Sequence, residues 1–286
     1  MIFDGPCVKV KRFVNEGMMI CCCPLASGSK GNCVYVGTEE TKILIDAGIS
    51  YRQLVLRLSQ MEISLDQIDA ILITHEHADH ISGLQTLTGK FPIPVLANSE
   101  TAKGILEALS LHSKFKIFST GESFEFGDLE IFPFSVQHDA LDPVGFTVRR
   151  EASQLGFCTD LGFATTLVKE SLKKCDYLYL EANHQVSMVH SSNRPFLYKQ
   201  RVLSRQGHLS NEACAELLSE IYHKGLKKVH LAHLSSECNS EELALKIVKE
   251  RLDALGAEVE LLIAYQDRAS RPFILGSQAL SSCDVR

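Results

Sequence analysis

No apolar run in this 286-residue chain approaches the roughly 18 residues that a membrane-spanning helix requires, which excludes a bilayer-spanning helical protein. The opening stretch, MIFDGPCVKVKRFVNEGMMICCC, sets charges on both sides of a very short apolar segment, so the apolar region of a secretory signal is missing as well and a cytoplasmic location is expected. No internal repeat, low-complexity tract or long Pro/Gly/Ser linker divides the chain, which reads as one domain over 18–286 behind an N-terminal extension over 1–17 without clear periodicity. Basic residues are not in excess: 29 Lys and Arg against 35 Asp and Glu leave a net charge of −6, which argues against attachment to nucleic acid or membrane through a global positive field. None of the ten cysteines falls in a CxxC pair, so neither a zinc knuckle nor a thioredoxin-like site is written here. With no export signal they read as free thiols, and the contiguous Cys21, Cys22 and Cys23 as part of a buried first strand, where cysteine behaves as a small hydrophobe. What remains is ordinary globular material, 45% apolar and 22% charged, which excludes disorder, collagen and coiled coil.

Short strand-like runs alternate with helical patterns almost throughout. Val34 to Val36 and Lys42 to Asp46 read as strands joined by a turn at Gly37 and Thr38, and Ser50 with Gln53 forms a capping box opening a helix whose buried face is Leu54, Leu58 and Met61. Ala70 to Thr74 is a continuous apolar run ending in Thr, the pattern of a strand buried on both faces. Phe124 to Phe126 and Leu129 to Val136 flank Gly127-Asp128, a hairpin signal. Leu155 to Thr159, Tyr177 to Leu180, Lys228 to Ala232 and Glu258 to Ala264 are further strands. Helices are expected over Ser99 to Ser110, Ala164 to Lys174, Ser210 to His223, closed by Gly225, and Ser240 to Leu255. Strands and helices in both halves predict two sheets packed face to face with helices outside, a four-layer αββα sandwich.

Directly after the Ala70 to Thr74 strand stands His75-Glu76-His77-Ala78-Asp79-His80, four potential metal ligands within six residues. In a chain leaving a strand, His75 and His77 lie two apart and can point the same way, while Asp79 and His80 follow on the turn toward a second metal. Further candidates end other strands: His138 after Phe132 to Gln137, Asp160 after Gly156 to Thr159, and His233 after Val229 to Ala232.

With these residues in order, Asp46, His75/His77/Asp79/His80, His138, Asp160 and His233, the sequence resembles the metallo-β-lactamase superfamily from about Met19 to Gly276. The resemblance implies that His75, His77 and His138 hold one metal, that Asp79, His80 and His233 hold the other, and that Asp160 bridges them. Asp46 is expected to orient the ligands from behind. It implies two divalent ions, zinc or manganese with iron also suited to such donors, and hydrolysis by a bridging hydroxide, with Asp79 counted among the catalytic groups. Redox members of the superfamily carry Glu where this chain has His77, which disfavours an oxygen or nitric oxide reductase.

The substrate is read from the region after Asp160. The 30 residues from Ala182 to Asn211 contain no Asp or Glu and include Arg194, Lys199, Arg201 and Arg205, with Phe196 and Tyr198 among them, a composition suited to phosphate backbone or single strands. The Tyr179 to Asn183 segment and GHLSN at Gly207 to Asn211 resemble the Glu-bearing strand end and the His-Ser-Thr loop of ribonuclease Z and related nucleases. That resemblance implies that Glu181 orients His208 and that His208 protonates the leaving oxygen. LASGSKGNC, LITHEHADHISGL, LEANH, GHLSNE and HLSSECN together are similar to the YycJ/WalJ subfamily, cytoplasmic members linked to DNA 5′ to 3′ exonuclease activity. The residue after LEANH, Asp in that pattern, is Gln185 here, and the Gly28 to Asn32 loop lacks the ending of a phosphate-binding Walker loop, reading as a tight turn beside the site. The expectation is therefore a binuclear phosphodiesterase or nuclease acting on nucleic acid, DNA from an end. The alternatives are a glyoxalase-like hydrolase of thioesters or lactones, and a metal-stabilised module that binds nucleic acid without cutting it. Neither composition nor motif speaks to the oligomeric state.

Overall fold

The computed structural model describes residues 20–109, 111 and 114–275. The expected extension over 1–17 and the last residue of the helix expected over Ser99 to Ser110 lie outside the described residues.

Six strands, β1 (Ile20–Ala26), β2 (Cys33–Gly37), β3 (Lys42–Ile45), β4 (Ala70–Leu72), β5 (Val95–Ala97) and β6 (Phe115–Ile117), form one sheet in sequence order. Strands β7 (Phe124–Phe126), β8 (Leu129–Ser135), β9 (Val144–Arg150), β10 (Ser153–Cys158), β11 (Tyr177–Glu181), β12 (Lys228–Ala232) and β13 (Glu260–Ile263) form the second, and β14 (Phe273–Leu275) returns to the first sheet beside β1. Each sheet is antiparallel on one side and parallel on the other: β14-β1-β2-β3 pair antiparallel and β3-β4-β5-β6 parallel, β7-β8-β9-β10 antiparallel and β10-β11-β12-β13 parallel.

Side-chain alternation explains why the strands read as unbroken apolar runs. On β1, Ile20 and Cys22 face the second sheet, while Cys21, Cys23 and Leu25 face the helices α1 (Tyr51–Ser59), α3 (Leu84–Lys90) and α4 (Ser99–Ala108). On β11, Tyr177 and Tyr179 point between the sheets, while Leu178 and Leu180 meet α5 (Thr166–Leu172), α8 (Asn211–Ile221) and α9 (Glu241–Asp253). Both faces of each sheet are covered, so the four layers run helix, sheet, sheet, helix, as expected for the αββα sandwich. The short α2 (Ala78–Ile81) carries Asp79 and His80, and α6 (Val186–Ser191) and α7 (Phe196–Val202) close around a small cluster of Val189, Val202 and Cys238.

The hairpin at Gly127 forms for a specific reason. Its φ is +61°, and a Cβ there would stand 1.9 Å from the Thr41 hydroxyl oxygen, so only glycine lets β7–β8 close against the first sheet. Two local expectations are corrected. The Ser50 hydroxyl accepts from the Gln53 amide, but the Gln53 side chain turns to Arg57 instead of completing the box; the reciprocal pair is made by Ser64 and Gln67. Helix α8 ends at Ile221, before Gly225, because Tyr222 already leaves the helical conformation with ψ at 136°.

Candidate metal centre and active site

The sequence candidates converge at the carboxyl ends of strands from both sheets. Asp46 follows β3, His75 follows β4, and Asp79 and His80 lie on α2 just beyond. His138 follows β8, Asp160 follows β10, Glu181 ends β11 and His233 follows β12. Three of these residues, Asp46, Asp160 and His233, hold left-handed backbone with φ of 61°, 57° and 54°. In non-glycine residues this conformation costs about 1–3 kcal/mol each and needs surroundings that enforce it. Here it ends each strand abruptly and swings the side chain into the common centre.

Ligand-type atoms gather into overlapping sets. His75, His77 and His138 present nitrogens within 4.8 Å of one another; imidazole nitrogens and carboxylate oxygens come equally close in Asp79, His80 and His233, in His75, His80 and Asp160, and in Asp160, Glu181, His208 and His233. In the first set, His77 Nδ1 lies 3.1 Å from His75 Nε2 and 3.3 Å from His138 Nε2. In the second, Asp79 Oδ2 lies 3.6 Å from both His80 Nε2 and His233 Nε2. Asp160 stands between them, its Oδ2 at 3.4 Å from His80 Nε2 and its Oδ1 at 3.9 Å from His138 Nε2. Asp160 Oδ2 and His233 Nε2 are buried without a hydrogen-bond partner. Buried polar atoms left so are costly unless something else meets them. Imidazole nitrogens and carboxylates converging around them suit divalent zinc, manganese or iron, so the residues present fit a metal centre.

What stands behind each imidazole fixes which nitrogen faces the centre. Asp46 accepts the Thr74 amide and hydroxyl and lies 2.7 Å from His80 Nδ1; Thr74 Oγ1 lies 3.0 Å from His75 Nδ1; the Gly207 carbonyl lies 3.1 Å from His138 Nδ1. Glu181 is wholly buried, and its Oε1 lies 2.8 Å from both His208 Nδ1 and His233 Nδ1 while its Oε2 accepts the Leu161 and Leu209 amides. Burial alone would raise that carboxyl; His208 and His233 outweigh it and hold Glu181 well below the usual carboxylate range. The same contest runs in the imidazoles. Burial pushes His80 down, but Asp46 and Asp160 carry it up to about 9, and Asp160, Asp79 and Glu181 likewise raise His233. Burial, reinforced by neighbouring imidazoles, keeps His75 well below its ordinary value.

Some contributors were not identified from sequence. Asn32 donates its backbone amide to the Asp79 carbonyl at 2.7 Å and sets its side-chain nitrogen 3.1 Å from His80 Nε2, so the Gly28 to Asn32 loop packs into the centre's wall. Gly48 permits this, since a Cβ there would meet the Asp79 carbonyl oxygen at 1.6 Å. Thr74 and Asp139 were also missed; Asp139 Oδ1 lies 3.3 Å from His138 Nε2. His184 is buried with Nδ1 3.3 Å from the Asn183 side-chain oxygen, and Gln185 bonds Glu212 and Asn211 at the start of α8.

The four basic candidates are not gathered into one positive field. Arg194 pairs with Glu237, Arg201 with Asp139, and the Lys199 ammonium donates to the His190 carbonyl. The segment is acid-free in sequence but not in space. Of the three arginines, Arg205 is the one that meets no carboxylate among the described residues; its guanidinium lies 4.1 Å over the Phe163 ring.

Comparison with known proteins places the chain in context. A family model described as the beta-lactamase superfamily domain matches residues 41–231. The chain is 37% identical over 235 residues to the exodeoxyribonuclease YycJ of Bacillus anthracis, covering 81% of this chain and 89% of that protein. It is also 37% identical over 224 residues to the exodeoxyribonuclease WalJ of Streptococcus pneumoniae, covering 77% and 83%. Among solved structures, the metallo-beta-lactamase fold protein YhfI from Bacillus subtilis superposes with a TM-score of 0.68 at 14% identity, covering 90% of this chain and 99% of that one, which speaks to the fold.

Proposed function

This chain belongs to the beta-lactamase superfamily as a metal-dependent hydrolase, and we propose that it cleaves phosphodiester bonds of DNA from a chain end, as the names of its YycJ and WalJ relatives suggest. His75, His77 and His138 would hold one divalent ion, Asp79, His80 and His233 a second, with Asp160 shared between them. Two such ions, when bound, supply an activated water and polarise the phosphoryl group under attack. The protein's own residues do the rest. Asp46 and Glu181 fix the tautomers of His80 and His233 through Nδ1, leaving Nε2 of each toward the centre.

The observation that carries the phosphodiesterase reading is the Glu181 carboxylate shared at 2.8 Å between a candidate ligand, His233, and His208, which stands outside both proposed ligand triads. With Nδ1 tied to Glu181, His208 has Nε2 to offer. A proton delivered there goes to the departing ester oxygen as the new bond to phosphorus forms and the old P–O bond breaks. No helix among the described residues is long and apolar enough to cross a membrane, and action in the cytoplasm belongs to the same proposal.

Metal analysis of protein purified without chelator, followed by incubation with end-labelled single-stranded DNA, RNA and a simple thioester, tests the reading. Two divalent ions per chain with shortening of the DNA is the expected result. Thioester turnover with intact DNA would instead install the glyoxalase-like alternative.

A further inference from the structure

The Arg205–Phe163 pair sits on the two loops that carry Asp160 and His208. Phe163 lies three residues beyond Asp160, and Arg205 three residues before His208. The two loops that carry them are locked together. A Cβ on Gly162 would meet the Ser204 carbonyl and the Arg205 and Gly207 backbone at 2.5–2.6 Å, so the Asp160 loop lies flush on the His208 loop. The Gly162 amide donates to the Gln137 carbonyl, beside His138, and the Leu161 amide donates to Glu181. Phe163 is therefore fixed to the centre on both sides, yet 39% of its surface is exposed. Of the three arginines in the segment, only the one stacked on this ring keeps its charge free of a carboxylate among the described residues.

We propose that Phe163 and Arg205 form a stacking subsite for the nucleobase next to the scissile phosphate, with the Arg205 guanidinium also meeting the strand's phosphate. The inference rests on the DNA reading above and specifies how that site grips its strand. An aromatic ring partnered by a guanidinium is a sequence-tolerant base platform, because every base has a π-face and the cation adds attraction to ring and phosphate alike. It also assigns a role to charge that the ion-paired Arg194 and Arg201 do not fill.

The chain contains no tryptophan, so Phe163→Trp places a single, selectively excitable tryptophan at the subsite. In the metal-loaded full chain, a single-stranded oligothymidylate is expected to quench that emission, and an abasic strand of equal length to leave it unchanged. Leu255→Trp, between α9 and the amino end of β13 and so at the opposite end of the parallel strands from the centre, serves as the distant control and should respond to neither strand. Phe163→Ala should shrink the KM advantage of the base-bearing strand over the abasic one by about 5- to 150-fold, the span of one base stack, with metal content unchanged. Unquenched emission overturns the subsite whether or not DNA is cut, and DNA cleavage with an unaltered KM ratio in Phe163→Ala would overturn it while leaving the nuclease standing. Base-dependent quenching without any DNA cleavage would retain the subsite and remove the nuclease.

Discussion

His230 and His233 are three residues apart on one strand and its exit, are both nearly inaccessible, and have their basicities shifted in opposite directions. Burial, with Lys228 adding to it, lowers His230 to about 3. Burial also opposes charge on His233, but Asp160, Asp79 and Glu181 outweigh it and raise that imidazole. Each ring has an Nε2 without a partner. On His230 that nitrogen belongs to a side chain facing the apolar space between the sheets, with the Tyr177 hydroxyl 2.9 Å from Nδ1. On His233 it sits among other converging ligand atoms, 3.6 Å from Asp79. Burial without carboxylates makes a silent imidazole; burial with carboxylates at a strand end makes an oriented, basic one. The interior and the rim of the same sheet thus use the same residue type to opposite ends.

The comparison breaks most visibly at the rim. Asp160→Ala or His75→Ala should lose bound metal and reduce hydrolysis to background while the circular dichroism spectrum is retained, because these side chains lie beyond the strand ends and the three apolar cores do not include them. Wild-type turnover in either variant would defeat the assignment. His208→Ala should come next: metal content measured by elemental analysis stays at the wild-type value, while kcat falls about 10²- to 10⁴-fold, the usual loss for a general acid. Metal lost together with activity would make His208 a ligand instead. Glu181→Gln keeps the shape but removes the charge behind both His208 and His233, and should weaken metal retention or activity about 10- to 100-fold. Equal performance of Gln and Glu would mean that shape alone orients the two rings.

The rim was far more legible in sequence than its supports. His75 to His80 are contiguous, and His138, Asp160 and His233 each stand at the end of a run whose apolar pattern marks a strand, so local reading found them, whereas Asp46 entered through resemblance. Glu181 and His208 came only through resemblance, since no local pattern links residues 27 apart that meet through one carboxylate. Asn32 and Asp139 act across loops far apart in sequence, and the pairing of Arg201 with Asp139 cannot be seen by counting charges within one segment. In the fold, β5, β6 and β14 are three residues long and carry too little pattern to declare themselves. The seven-residue β9 was missed although Val144, Phe146 and Val148 alternate, because Gly145 and the terminal Arg149 and Arg150 mask the period.

The smallest expected effect tests the interior side of the comparison. An imidazole that titrates near 6.5 in the unfolded chain and at about 3 in the fold takes up its proton first in the unfolded state. Its contribution to stability is therefore complete above pH 6.5 and is lost as pH falls toward 3. His230→Asn leaves an amide near the Tyr177 hydroxyl but has no proton to gain. Urea unfolding from pH 7 to pH 4 should show the wild type losing up to about 3 kcal/mol more than the variant, with hydrolysis at pH 7 the same in both. Parallel stability curves would mean that His230 is protonated in the fold despite its burial, and that carboxylates are not what separates it from His233.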